Sequence, residues 1–265
     1  MKNQQKFALL TGATKGIGLE LAKLFAKDGY SMVIVARTEN DLTTTAHLLQ
    51  GEGSPKVIPL AFDLFEKDAA QQLYDKVSEL GIDIDVLVND AGQGVYGKFI
   101  DNNLNDELKI IQLNVASLVT ITKLFLKDMV TRGEGKILNV ASIASKSPGP
   151  WQAVYHGTKA FVHSFNEAVN FEIKDTGVTL TSLLPGATDT DFFHKAGMES
   201  AKIVVEGDLA DAATVAKDGY EALMEGKDMV VSGFKNKMNV ALGNIISDSG
   251  QAAMMDKQQE PVEKS

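Results

Sequence analysis

Tyr155 and Lys159 stand four positions apart at the start of a long helical pattern, so both side chains project from one face of the predicted helix. An ammonium group beside a phenol favours the phenolate and lowers a tyrosine pKa that is otherwise about 10. The pair therefore predicts a tyrosine that acts as general acid and base near neutral pH. With five tyrosines in the chain this spacing also arises by chance, so the surrounding residues must decide.

Ser142 follows directly on a predicted strand, 136–141, upstream of Tyr155. A hydroxyl at this place can donate to a carbonyl oxygen while the phenol delivers the proton. Ligands of open parallel sheets lie outside the carboxyl ends of the strands, where Ser142 falls. The alternative is a structural serine in a solvated turn.

A glycine-rich loop joins the first predicted strand to the first predicted helix and reads TGATKGIG over residues 11–18. Glycines let the backbone turn sharply and approach a pyrophosphate, and the helix N-terminus offers unpaired N–H groups. The loop therefore predicts phosphate binding. A glycine turn that serves only tight packing is the structural alternative.

Other chemistries find less support. Gly92, Gly97 and Lys98 have the spacing of a nucleoside triphosphate loop, but Phe99 stands where a hydroxyl would hold Mg²⁺. The chain has no cysteine and no serine esterase elbow, and its histidines lack the spacing of zinc hydrolases. We therefore expect no metal site and no thiol or esterase chemistry. The histidines are His47, His156, His163 and His194.

Short β-branched runs alternate with longer helical patterns along the chain, which is typical of a parallel sheet covered by helices on both faces. The predicted strands are 6–11, 31–36, 57–62, 84–89, 136–141, 178–184 and 229–233, and long helices are predicted over 105–131 and 153–176. The predicted fold is a doubly wound, Rossmann-type α/β fold with a mainly parallel seven-stranded sheet.

Composition and charge limit the partners. The 265 residues carry a formal charge of −9 without a local basic cluster, which disfavours nucleic acid. No uninterrupted apolar window is long enough to span a membrane, and no signal peptide is visible, so a cytoplasmic location is expected. No linker divides the chain. We expect one domain over 1–250 and a polar, flexible tail over 251–265.

Taken in order, these motifs resemble those of the short-chain dehydrogenase/reductase family over about residues 6–235. The resemblance also includes Asp63-Leu64 after the third predicted strand, Asn89-Asp90-Ala91-Gly92 after the fourth, Asn114 in the long helix and Pro185-Gly186 after the sixth. Two positions depart from the family pattern. Asp90 stands where the family usually has asparagine, and Thr188 where it usually has a branched aliphatic residue.

The resemblance implies that Tyr155 is the acid and base, that Lys159 lowers its pKa and binds the nicotinamide ribose, and that Ser142 orients the substrate oxygen. It implies that Asn114 holds a water of the proton relay. The implied cofactor contacts are the loop residues Gly12, Thr14, Lys15, Gly16, Ile17 and Gly18, then Asp63 and Leu64 at the adenine, Asn89, Ala91 and Gly92 at the adenosine side, and Pro185, Gly186, Thr188 and Thr190 at the carboxamide.

The end of the second predicted strand bears on which nicotinamide cofactor is bound. An NAD site places a carboxylate there, whereas a 2′-phosphate needs cations. The strand is followed by Arg37 and Thr38, the first acid, Glu39, comes later, and Lys15 adds a charge from the glycine loop. NADP(H) is therefore the expected cofactor, and solvated surface cations are the alternative.

The substrate side should be walled by residues 93–99, 147–151 and 189–205. The last segment carries Phe192, Phe193 and Met198, and we expect it to be a lid with an apolar inner face that is mobile without ligand. An apolar carbonyl substrate follows, although these side chains would equally complete a core. The apolar richness of the two long helices, together with the resemblance, predicts a homodimer or homotetramer.

The sequence thus predicts an NADP(H)-dependent oxidoreductase that interconverts a small carbonyl compound and an alcohol. A non-catalytic NADP-binding sensor or scaffold is the alternative, and the intact Ser142, Tyr155, Lys159 and Asn114 argue against it. An epimerase or dehydratase is disfavoured by the glycine spacing and by the lack of a C-terminal substrate domain.

Overall fold

A computed structural model describes residues 5–243 and 245–262. Its strands are β1 (Phe7–Thr11), β2 (Ser31–Ala36), β3 (Val57–Ala61), β4 (Val86–Asn89), β5 (Gly135–Val140), β6 (Val178–Leu184) and β7 (Met229–Val231). They form one sheet in the order β3-β2-β1-β4-β5-β6-β7, and each neighbouring pair is parallel. The predicted fold class is therefore confirmed.

Helices cover both faces of this sheet because both faces of its central strands are apolar. Leu10 and Ile34 pack with Phe25 on one face, and Leu9 and Val33 pack on the other. The helices are α1 (Gly16–Lys27), α2 (Glu39–Gly51), α3 (Ala69–Glu79), α4 (Leu104–Ile111), α5 (Leu118–Arg132), α6 (Ala153–Ile173), α7 (Phe192–Ala196), α8 (Lys202–Val205), α9 (Ala212–Glu225), α10 (Phe234–Gly243) and α11 (Asp248–Gln259).

The strand order reverses at β1, which lies between β2 and β4. Thr11, the last residue of β1, is opposite Val35 on one side and Asn89 on the other. The chain leaves β1 and β4 toward opposite faces, so their following loops separate and leave a crevice at the carboxyl ends. Such a switch point is where open α/β sheets bind ligands.

A buried chain of amide hydrogen bonds ties α6 to the sheet. Asn89 donates to Asn139 at 2.8 Å, Asn139 donates to Asn166 of α6 at 2.7 Å, and Asn166 donates to Ser182 at 2.6 Å. Unpaired amides here would cost free energy, so the pairing favours one position of α6 on β4, β5 and β6. Tyr155 and Lys159 belong to α6, so their positions depend on these hydrogen bonds.

The long predicted helix over 105–131 forms, but a π-helical turn at Gln112–Ser117 separates α4 from α5. Among the described residues, the stretch Leu104–Arg132 is long and apolar enough to cross a membrane by length and composition alone. It packs against α3, α6 and the sheet, as the core helix of a globular domain does. One such stretch is weak evidence for a membrane span.

The C-terminal stretch differs from the expected flexible tail. Residues 251–259 belong to α11, and Val262 N donates to Ser200 O at 2.7 Å. The polar composition of this stretch did not indicate a helix because α11 is only weakly amphipathic. Residues that mark the two ends of a helix are nevertheless present in the sequence. Ser247 caps the first turn by accepting from Gly250 N, and Pro261 follows the last. The end of the predicted tail, 263–265, lies outside the described residues.

Candidate active site

The glycine loop forms the tight turn that its sequence predicts. Gly12 has φ of 72°, and its N–H donates to the Val35 carbonyl at 2.9 Å. A Cβ at Gly12 would lie 2.9 Å from Ala91 N, and a Cβ at Gly18 would lie 2.4 Å from Gly12 O. Side chains are thus excluded at both positions, and the N-terminus of α1 stays open to the crevice.

Asp90 lies beneath this loop, largely shielded from solvent at the wall of the crevice. The Gly18 N–H donates to the Asp90 carboxyl group, and its Oδ2 is 3.0 Å from the place of a Cβ on Gly12. Burial raises the pKa of Asp90 to about 7, although the positive charge of Lys159 and the Gly18 bond lower it. The residue that departs from the family pattern thus supports the loop from below.

A cavity of about 510 Å³ extends from the glycine loop to Tyr155. Most predicted site residues line it, namely Gly12, Thr14, Lys15, Gly16, Ile17, Arg37, Thr38, Asp63, Leu64, Ala91, Gly92, Ser142, Tyr155, Lys159, Pro185, Gly186, Thr188 and Thr190. Gly18, Asn89 and Asn114 are not among the lining residues in the described part of the chain. Asn89 instead turns its amide inward to Thr122 and Asn139.

Lys159 and Tyr155 face the cavity from the first turns of α6. The Lys159 Nζ donates to the Val140 carbonyl at 2.7 Å and lies 5.9 Å from the centroid of the Tyr155 ring. Burial lowers the pKa of Lys159 to about 8, against the opposing effect of Asp90. Burial also raises the pKa of Tyr155 to about 12, which the hydrogen bond with Ser142 only partly offsets. Burial and the Ser142 bond account for this shift, and the lowering of the Tyr155 pKa by Lys159 stays a prediction.

Ser142 lies two residues beyond the end of β5 and caps a short 3₁₀ turn, Ile143–Lys146. Its Oγ accepts from Ala144 N at 3.1 Å, and its hydroxyl reaches the Pro185 carbonyl only at 3.5 Å. That second distance is at the limit of a hydrogen bond, so the hydroxyl hydrogen can turn toward a ligand oxygen beside Tyr155.

Asn114 is positioned by the π-helical turn, a feature that often occurs at functional sites. Its side-chain amide bonds both polar groups of the Gln93 backbone, accepting from N at 3.0 Å and donating to O at 2.8 Å, and also donates to Thr158 at 3.1 Å. Its Oδ1 and the Lys159 Nζ lie 3.5 and 3.4 Å from the place of a Cβ on Gly92. Asn114 therefore lies close to Lys159 but is not among the described residues that line the cavity.

The segment 189–205 includes α7 and α8 and covers the substrate side. The Phe192 ring packs over the Tyr155 ring with 5.1 Å between centroids, and Met198 is buried with it in an apolar cluster. The apolar inner face that the sequence predicts is therefore present. Its mobility without ligand stays a prediction.

The two predicted phosphate-binding cations differ in their surroundings. Lys15 Nζ donates to Asp191 Oδ2 at 2.6 Å, which links the glycine loop to the segment 189–205. Arg37 is exposed beyond the end of β2 with its guanidinium 5.3 Å from the centroid of the Phe65 ring. Within the described residues Arg37 forms no ion pair, whereas Lys15 is already paired with Asp191.

Sequence reasoning missed the contribution of α11. Trp151 Nε1 donates to Asp256 at 2.9 Å, and the Tyr96 hydroxyl donates to the Gln259 carbonyl at 2.6 Å. The Gln259 amide also bonds the ring of His156, the neighbour of Tyr155, at 3.1 Å. These contacts hold α11 across the substrate side of the cavity, and the helix end signals described above could have indicated it.

The fold and site define a dinucleotide-binding α/β protein with a tyrosine, a lysine and a serine at the cofactor crevice. The family model of the short chain dehydrogenases matches residues 6–201, and this chain belongs to that family.

Two relatives and one solved structure illustrate the match. The chain is 36% identical over 191 residues to a short chain dehydrogenase of Pseudocercospora fijiensis, covering 71% of this chain and 61% of that protein. It is 32% identical over 181 residues to the ketoacyl reductase HetN of Nostoc sp., covering 68% and 63%. The match thus spans less than two thirds of the length of either relative. A short-chain dehydrogenase from Sphingobium yanoikuyae in complex with NADPH superposes with a TM-score of 0.81 at 25% identity, covering 92% of this chain and 96% of that one.

The buried Asp90 should give the protein a specific pH dependence of stability. The folded state keeps its proton up to about pH 7, whereas the unfolded carboxyl releases it near 3.8, so stability is lost as pH rises through this window. Asp90→Asn keeps an acceptor for Gly18 without titrating. Its free energy of unfolding, measured in urea, should be close to that of the wild type near pH 4 and exceed it by up to about 4 kcal/mol above pH 7. A difference that does not vary with pH would contradict this.

Proposed function

We propose that this protein is an NADP(H)-dependent oxidoreductase that reduces a small carbonyl compound to an alcohol. The observation that carries the proposal is one cavity in which Tyr155, Lys159 and Ser142 meet at the carboxyl ends of the strands, continuous with the glycine loop.

The crevice fits a nicotinamide dinucleotide. Gly12 and Gly18 leave no room for side chains, which lets a pyrophosphate approach the open N-terminus of α1. The atoms nearest the place of a Cβ on Gly92 are Lys159 Nζ, Asn114 Oδ1 and the Asp90 carbonyl oxygen, so the ribose hydroxyls would find one donor and two acceptors there. A nicotinamide dinucleotide bound there supplies the hydride.

The 2′-phosphate form of the dinucleotide is favoured by the residues at the end of β2. Arg37 is held by its contact with Phe65, and Thr38 and Lys15 line the same end of the cavity. A planar guanidinium can bind two phosphate oxygens at once. The similar Sphingobium protein, described as a complex with NADPH, supports this choice.

The proton is delivered by Tyr155. With a pKa raised to about 12, its phenol is protonated at neutral pH and suits the role of general acid in carbonyl reduction. Ser142 would donate to the same carbonyl oxygen and hold it beside the phenol. Lys159, fixed by the Val140 carbonyl, would stabilise the phenolate that forms as the proton leaves.

Self-association stays a proposal that the surface supports. Leu104 and Leu108 of α4 and Phe171 of α6 are 65%, 52% and 72% exposed. Large apolar groups concentrated on neighbouring helices mark interaction surfaces, and a second copy of the chain would bury them. We also propose that the enzyme is soluble and cytoplasmic and acts on a small molecule. In this proposal it neither binds nucleic acid nor spans a membrane.

Tyr155→Phe should lower kcat for carbonyl reduction by about a hundredfold or more, because it removes the proton donor and keeps the ring that packs on Phe192. Steady-state NADPH oxidation with a panel of ketones and aldehydes measures kcat, and fluorescence titration checks that NADPH still binds. Phe161→Tyr, an exposed site on the same helix, serves as a control. Undiminished turnover in Tyr155→Phe would overturn the mechanism.

The raised pKa of Tyr155 also sets the pH profile. Oxidation of the product alcohol requires the phenolate, so its kcat should rise about tenfold per pH unit up to about pH 8, and less steeply above it as Lys159 loses the charge that stabilises the phenolate. Carbonyl reduction requires the phenol and should not lose it below pH 10. Initial rates in both directions measure this, and an oxidation rate already constant below pH 8 would show that Tyr155 ionises near neutrality during turnover.

Replacing the cation beyond β2 should change cofactor choice. Arg37→Gln removes a charge-assisted bond worth roughly 1.5–3 kcal/mol, so the Kd for NADPH should rise tenfold or more while that for NADH changes little. Fluorescence titration with each cofactor measures both constants. Equal losses for the two would assign Arg37 a structural role beside Phe65.

A further inference from the structure

Two buried side-chain amides on the substrate side of the cavity each keep one polar atom without a partner. Gln152 and Gln259 are 3% and 4% exposed, and both line the cavity that contains Tyr155. Within the described part of the chain, Gln152 Nε2 and Gln259 Oε1 have no hydrogen-bond partner. One atom is a donor and the other an acceptor.

The orientation of the Gln259 amide follows from its neighbour. His156 Nδ1 is 2.8 Å from the Ser147 carbonyl, which can only accept, so Nδ1 carries the hydrogen. Burial lowers the pKa of His156, and the neutral ring then accepts at Nε2. Gln259 must therefore donate to His156 through Nε2, at 3.1 Å, and its Oε1 is left as the free acceptor.

The Gln152 amide lies close to the reacting groups. Its Nε2 and the Phe192 Cζ are each 2.9 Å from the place of a Cβ on Gly94, and Tyr155 Cδ2 is 3.5 Å from that same place. Both glutamines also adjoin His156, since the Gln152 carbonyl accepts from the His156 N–H at 3.0 Å. Both glutamines therefore line the same cavity and adjoin the same histidine, and Gln152 Nε2 lies beside the ring of Tyr155.

An unpaired polar atom in such a place is costly, about 1–3 kcal/mol for each. Both atoms are shielded from bulk solvent. The Phe192 ring of the segment 189–205 packs beside Gln152 Nε2, so a ligand that displaces this ring reaches the Gln152 amide, and the Gln259 amide lines the same cavity. A group that both accepts and donates would satisfy the pair.

We propose that Gln152 and Gln259 form a subsite for a hydroxyl group of the substrate, separate from the reacting carbonyl, so that the enzyme acts on aliphatic hydroxyketones or hydroxyaldehydes. The hydroxyl oxygen accepts from Gln152 Nε2, and its hydrogen is donated to Gln259 Oε1. Phe192, Phe193 and Met198 contact the carbon chain between the two oxygens. This inference rests on the proposed carbonyl chemistry for the place of the reacting oxygen.

Binding to the protein loaded with NADP⁺ tests the subsite apart from ketone reduction, because the oxidised dinucleotide has no hydride to give a ketone. Unchanged NADPH absorbance during the titration confirms that the ω-hydroxyl is not oxidised. The ligands are 2-alkanones of six to ten carbons, each compared with the ω-hydroxy and ω-methoxy compounds of the same chain length. Calorimetric titration should show at least one ω-hydroxy compound binding about tenfold or more tighter than its parent ketone. Its methoxy analogue, which only accepts, should bind with intermediate affinity.

Two variants separate the roles of the two amides. In Gln259→Leu, the hydroxy and methoxy ligands of the preferred length should bind equally, because the acceptor is lost. In Gln152→Leu, the methoxy ligand should lose its advantage over the parent ketone. Lys257→Leu, an exposed neighbour on α11 that does not line the cavity, is the control and should keep the hydroxyl preference. A merely structural role would weaken all three ligands alike.

The inference is overturned if no ω-hydroxy compound binds tenfold tighter than its parent at any chain length, or if both leucine variants keep the wild-type preference. NADPH oxidation with the same ligands tests the proposed function separately. Hydroxyl-selective binding without turnover would overturn the reductase and leave the subsite standing. Turnover of both the parent and the hydroxy ketones, with equal affinities for the two, would support the reductase and overturn the subsite.

Discussion

The buried ammonium of Lys159 holds the reacting groups in one arrangement. Its Nζ donates to the carbonyl of Val140, the last residue of β5, and so fixes the first turns of α6 against the strand end that precedes Ser142. A buried lysine without such a partner would be strongly destabilising. Because Tyr155 lies one turn earlier on α6, the same bond sets the distance between the phenol and the serine hydroxyl. The carbonyl that anchors the lysine also orients its remaining hydrogens.

The same lysine belongs to an electrostatic group that extends under the glycine loop. Asp90 raises the pKa of Lys159 and Lys159 lowers that of Asp90, while burial acts on each in the opposite direction. The pKa values of about 8 and about 7 are therefore closer together than those of exposed groups. A carboxyl that accepts from Gly18 thereby couples the loop that would carry phosphates to the lysine beside Tyr155. An asparagine at position 90 would support the loop without this coupling.

The sheet could be predicted from sequence because buried parallel strands read as continuous apolar runs, such as Val33 and its neighbours in β2, and because glycine spacing reports backbone geometry directly. The pKa values of the site residues could not be predicted from the sequence. A helical spacing indicates that Tyr155 and Lys159 share a face, but the phenol pKa depends on how deeply packing buries it, and Phe192 is distant in sequence. Likewise, Asn89 follows the family pattern yet turns inward, because its amide completes a chain of buried asparagines.

The residues that match the family model and those that lie outside it occupy different parts of the chain. The family model ends at residue 201, and the glycine loop, Ser142, Tyr155 and Lys159 all precede that point, so the machinery for phosphate binding and proton transfer lies within the shared part. Gln259 lies beyond it, on a helix that meets the shared part through Tyr96, Trp151 and His156. The proposed hydroxyl subsite thus takes Gln152 from the shared part and Gln259 from beyond it, and both adjoin the histidine next to Tyr155. Under this proposal, substitutions on α11 change which compound is bound while the proton path keeps its geometry.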